Sequence, residues 1–121
     1  MQQFVIDRSK WRTGGEKFNH KYGRTYLLNS KGFMCCLGFF CNQIENRTTN
    51  EIMYTPDPAQ FDDNIRGSNL IADDGHNRPW VESAMEINDD EDLSKDTREE
   101  RIHKVFKDNG YDVKFINEYP E

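Results

Sequence analysis

Residues 32–43 read "GFMCCLGFFCNQ" and hold all three cysteines of the chain, Cys35, Cys36 and Cys41. Met34, Leu37, Cys41 and Ile44 recur three and four apart, and Phe33, Cys36 and Phe40 repeat the spacing on a second face. A helix that is apolar around most of its circumference belongs in a core, so the segment is expected to be a buried central helix. A strand is the competing reading, because a run of Phe, Cys and Leu suits one equally. Gly38 weakens a helix by about 1 kcal/mol relative to alanine, but it lets a neighbouring element approach closely.

Outward from this centre, "QFVIDR" (3–8) is an expected first strand and "RTYLLN" (24–29) a second. "NSKG" closes the latter in a turn whose Asn and Gly suit positive dihedrals. Between the two strands lies a Gly-, Lys- and Arg-rich loop. Residues 45–79 turn to Asn, Asp, Thr, Gly and Pro, a connector far longer than the usual four to six residues or so. Such a length implies function or unrecognised short elements, and a variable binding surface is expected here. Pro79 opens a short helix with Trp80, Ala84 and Ile87 on one face. Asp96 and Glu99 resemble a capping box; Ile102, Val105 and Phe106 form a stripe, and Asn109-Gly110 ends a helix over 97–109. "YDVKFIN" (111–117) is the last strand. The order predicts one α+β domain over 1–121, with a small antiparallel sheet packed against the buried central helix and a C-terminal amphipathic helix.

The chain of 121 residues is 35% hydrophobic and 31% charged, and eight Phe, five Tyr and two Trp supply the large buried areas that one core needs. The net charge of −6 argues against non-specific binding to a phosphate backbone. "MQQFVIDRSKW" carries no leader-like apolar run and no stretch reaches membrane-spanning length, so no membrane association is expected. Three clustered cysteines do not make a disulfide framework, and reduced thiols in cytosol are the expectation. The sequon at Asn46 carries no meaning in that compartment.

"FVIDRSKWRTG", "YLLNSKGFMCCLGF" and "MEINDDEDLSKDTREERIHKVFKDNGYDVKF" occur in that order and cover about two-thirds of the chain. Together they resemble a family of small proteins of bacteriophages and some bacteria, in which an Asp-Arg-Ser-Lys-Trp motif precedes Met-Cys-Cys-Leu-Gly. The resemblance implies a phage accessory protein in the host cytoplasm and assigns no catalytic residue.

Four candidate sites follow from the residues. Cys35 or Cys36 would be the nucleophile of a thiol-dependent hydrolase or transferase if His20, His76 or His103 lowered its pKa. Against this, the surrounding Phe33, Met34, Leu37, Phe39 and Phe40 favour cysteines that pack as small hydrophobes. Arg8, Lys10, Arg12, Lys17, Lys21 and Arg24, interleaved with Trp11, Phe18 and Tyr22, have the make-up of a single-stranded nucleic acid channel. The plainer alternative pairs Asp7 with Arg8, buries Trp11 and leaves the lysines in solvent. Asn88, Asp90, Asp92, Ser94, Asp96 and Glu99 match the ligand spacing of an EF-hand loop, but Asn stands first and Leu93 where the turn needs Gly, and helix capping explains the same residues. The carboxylate pairs Asp62-Asp63 and Asp73-Asp74 and the run Asp89–Asp92 could mimic duplex phosphates or be a solvated face. With no assembled catalytic constellation, the expected function is non-enzymatic binding of a host or phage macromolecule, foremost a protein, with nucleic acid second. No cofactor is expected.

Overall fold

A computed structural model describes residues 1–13, 26–29, 31–60 and 68–119. In chain order it holds β1 (Gln2–Asp7), α1 (Cys36–Gln43), α2 (Thr49–Ile52), a 3-10 turn (Pro58–Gln60), α3 (Pro79–Asp89), α4 (Lys95–Lys107) and β2 (Tyr111–Ile116). The fold is α+β, and the buried central segment is a helix.

The sheet corrects one expectation: its two strands are parallel, not antiparallel, with Gln2 beside Tyr111 and Asp7 beside Ile116. The reason lies in α4. Its first turns reach the end of β1, where Glu99 meets Arg8, and its last residue lies four positions before β2, which starts opposite the beginning of β1. The helix therefore carries the chain back along the sheet, and β2 sets out in the direction of β1. The expected second strand over 24–29 also fails for its described part. Leu28 makes one isolated bridge to Met53, and Leu27 N–H donates to Thr55 O at 2.8 Å. This stretch spends its backbone hydrogen bonds on the connector and not on the sheet.

Phe4 and Ile6 face inward together with Val113 and meet the helices. The ring of Phe4 lies edge-on to Phe40 of α1 at 5.4 Å and to Phe106 of α4 at 4.9 Å. Both Trp80 and Tyr111 also pack on Phe40, so one aromatic cluster joins α1, α3, α4 and the sheet. Gly38 is where the close approach expected of it occurs: a Cβ there would lie 1.9 Å from the carbonyl oxygen of Leu27.

The connector carries three short pieces of its own. Thr48 and Glu51 form a reciprocal capping box that starts α2, Pro58 opens the 3-10 turn, and Ile71 bridges to Asn77 around Gly75. Helix α4 begins earlier than its sequence signature suggested. Ser94 is the N-cap, its hydroxyl accepting from Thr97 N–H at 3.2 Å, and Glu99 is turned away to the sheet. At the other end Gly110 takes φ +95, the left-handed dihedral that lets a helix stop without a Cβ penalty.

Candidate functional site

Parallel strands gather loops at their carboxyl ends, and here those loops carry the Asp7–Arg12 segment and the residues after β2. Asp7 does not pair with Arg8. Its Oδ1 accepts from Ser9 N–H at 2.9 Å, from Ser9 Oγ at 2.7 Å and from Asn117 Nδ2 at 3.0 Å. The Ser9 hydroxyl, foremost, holds this carboxyl below its usual range. Arg8 instead forks onto Glu99, with Nε to Oε2 at 2.9 Å and Nη2 to Oε1 at 2.7 Å, and donates through Nη1 to Asn117 O at 3.0 Å. Its guanidinium also lies over the rings of Phe115 and Tyr119.

The Tyr119 hydroxyl donates to Glu99, and its ring stacks near Trp11 at 6.3 Å with Lys95 Nζ 4.6 Å from its centroid. Burial and the hydrogen bond to Glu99 push the Tyr119 hydroxyl well up, so it stays a donor at any ordinary pH. Burial also pushes Glu99 up, but the hydrogen bonds from Arg8 and Tyr119 outweigh it and hold the carboxyl below its usual value. Asn117, at φ +62, makes the reversal that lays Tyr119 back over the core.

Asn88 is the polar node beneath this end. Its Oδ1 accepts from the Trp11 indole N–H at 2.7 Å and from Cys36 N–H at 3.0 Å, and its Nδ2 donates to Arg12 O at 3.0 Å. One buried amide thus ties α3 to the start of α1 and to the segment after β1.

The described part of the basic segment, residues 8–12, is therefore largely built into the fold. Trp11 and Arg12 are buried, Arg8 is held by Glu99, and Lys10 is the exposed member of the described four, with its ammonium 5.7 Å from the Phe33 ring centroid. Lys17, Lys21, Arg24 and His20 lie outside the described residues.

Cys35, Cys36 and Cys41 are all buried with free thiols. Burial pushes the thiols of Cys36 and Cys41 well up, and neighbouring groups of like charge add to the effect, which is the opposite of an activated nucleophile. His76 is exposed in the turn beyond Ala72, and His103 lies 3.4 Å from Asp112 on the surface of α4. The structure does not bring these histidines into an imidazole–thiol pair.

The EF-hand pattern is dispersed as well. Asn88 points into the core, Asp90 Oδ1 accepts from Asp92 N–H at 2.9 Å, Ser94 caps α4, Asp96 is exposed and Glu99 belongs to Arg8. Among the described residues no group of three or more His, Cys, Asp or Glu could hold a metal ion.

What the sequence did not single out is an aromatic pair on the connector side. Tyr26 and Tyr54 are 42% and 58% exposed, and their rings meet edge-to-face at 5.8 Å. Tyr54 sits at φ +58, a left-handed conformation that a bulky residue adopts at a cost of about 1–2 kcal/mol. Two backbone hydrogen bonds hold it there: Tyr54 N–H to Leu28 O, and Leu27 N–H to Thr55 O, both at 2.8 Å. The isolated tyrosines of the sequence gave no sign of this, because the pairing depends on 26–29 crossing the connector.

Compared with protein-family models, with curated proteins and with solved structures, the chain shows no match to any.

Proposed function

We propose that the chain is a small phage-type accessory protein of the host cytoplasm that acts without catalysis by binding a host or phage protein through the face bearing Tyr26 and Tyr54. The single observation that carries this reading is the exposed aromatic pair with Tyr54 held in a left-handed conformation. Two tyrosine rings presented together to solvent suit a contact surface, because tyrosines are enriched among the few residues that dominate protein interfaces. Backbone strain retained at an exposed side chain is characteristic of functional surfaces. The resemblance to small phage proteins supports the accessory role, and the three buried thiols leave little room for the hydrolase alternative. Nucleic acid is the weaker ligand, since Arg8, Trp11 and Arg12 are engaged within the fold.

The test is photo-crosslinking from the exposed position 50, on α2 four residues before Tyr54, in phage-infected cells, with an otherwise wild-type chain compared with Tyr26→Ser and Tyr54→Gly. The expected result is one crosslinked protein whose capture is lost in both variants while the melting temperature is retained. Tyr54→Gly removes the left-handed penalty, so it is expected to be as stable as wild type or more so. Unchanged capture by both folded variants would sink the reading.

A further inference from the structure

The outer edge of β1 is closed by a side chain. Val5 turns its backbone away from β2; its N–H donates to Gln43 Oε1 at 2.9 Å and its C=O accepts from Gln43 Nε2 at 2.8 Å. These are the two bonds that a residue of a neighbouring strand would make. Gln43 is exposed at the end of α1, so the amide acts as a removable substitute for a strand. Gln3 shares the backbone phase of Val5 and faces the same edge, and among the described residues no hydrogen bond reaches its N–H or C=O. A two-stranded sheet with such an edge is open to strand addition.

The order of residues along β1 selects the occupant. Antiparallel pairing of β1 with itself about Val5 places Val5 opposite Val5, Gln3 opposite Asp7 and Phe4 opposite Ile6. Gln3, whose amide already donates to Asp112 Oδ2 at 3.0 Å, lies opposite Asp7 at both ends, Gln2 lies opposite Arg8, and no like charges face each other. Val5 lies on the outer face of the sheet and outside the core, so its partner there is another apolar side chain. Because Val5 and Gln3 both direct their backbone outward, the two-fold falls on a hydrogen-bonded pair and the Val5–Val5 contact takes over the bonds now made by Gln43. From this self-complementarity we infer that β1 is a self-association edge, pairing antiparallel with β1 of a second copy of this chain into a four-stranded sheet, and that Gln43 is the clasp that competes with it.

The inference is independent of the Tyr26–Tyr54 face and is tested on purified full-length chain. Sedimentation equilibrium on wild type, Gln43→Ala and Val5→Lys over a concentration series up to about 1 mM reads the dimer constant. Removing the clasp frees two hydrogen bonds per chain, so Gln43→Ala is expected to dimerise roughly tenfold or more tightly than wild type. Val5→Lys sets two cations opposite each other on the outer face and is expected to be monomeric, alone and combined with Gln43→Ala. An intermolecular Hα–Hα Overhauser contact between Phe4 and Ile6, in a mixed-label sample of the dimerising protein, is expected at the non-hydrogen-bonded positions. A dimer that survives Val5→Lys, a Gln43→Ala constant equal to wild type, or monomers throughout would each overturn the inference. If Gln43→Ala does not fold, the comparison of wild type with Val5→Lys and the Overhauser contact decide it.

Discussion

Replacing Gly38 by alanine separates two forces that normally act together. Gly38 lies inside α1, where alanine is intrinsically better by about 1 kcal/mol. A Cβ at this position, however, would sit 1.9 Å from Leu27 O, 2.8 Å from Leu27 C and 3.0 Å from Met34 Cβ. The first two are backbone atoms of a segment whose leucines are both buried, so no side-chain rotation relieves the contact. Restoring van der Waals distance requires α1 and residues 26–29 to part by more than about 1 Å, in a core packed near crystal density. That displacement strains the bonds from Leu27 to Thr55 and from Tyr54 to Leu28. Overpacking of this kind costs about 3 kcal/mol at the upper end of its usual range. After the propensity gain, the net loss is about 2 kcal/mol, which lowers the melting temperature of a domain of this size by roughly 8 °C. Urea unfolding and calorimetry on Gly38→Ala measure it, with the exposed Ser83→Ala of α3 as the control for helix propensity alone. A Gly38→Ala protein that melts at or above wild type would mean that the Leu27 carbonyl does not pack against α1 at Gly38.

Asn88→Ala leaves the Trp11 indole N–H and the Cys36 N–H buried without their acceptor, and is expected to cost about 3 kcal/mol by denaturant unfolding. Stability is expected to hold above about pH 5 and to decline on acidification, because Glu99 and Asp7 both have folded-state pKa values lowered from their usual 4.5 and 3.8. A lowered folded-state value means that the unfolded chain takes up protons first as pH falls, and the stability is lost as pH passes down through the folded-state values. Glu99→Gln is expected to flatten that part of a pH-dependent melting series. The thiols of native protein are expected to react with an aromatic disulfide only at the rate of unfolding, and all three at once in denaturant, since each is buried. One fast-labelling cysteine at neutral pH would contradict their packing role.

The buried helix, the helix opening at Pro79, the α4 stripe and the two terminal strands were legible because each is written in local periodicity and end signals. The close approach at Gly38 was legible too, since only the smallest residue lets a backbone reach an otherwise bulky helix. Strand direction was not, because it depends on a pairing that joins Gln3 to Asp112, 109 residues away, and no local pattern encodes so distant a partner. The same holds for Glu99 and Asn88. Their local context suited a capping box and a calcium loop, yet burial leaves a carboxylate or an amide only the partners that tertiary packing supplies. For Glu99 these are Arg8 and Tyr119, and for Asn88 they are Trp11, Cys36 and Arg12. Sequence periodicity thus set which segments are helix, strand and core. Tertiary packing set the rest: the return of α4 along the sheet set the strand direction, the demand of buried polar groups for partners drew Arg8, Trp11 and Arg12 into the fold, and the crossing of 26–29 over the connector placed Tyr26 beside Tyr54 in solvent.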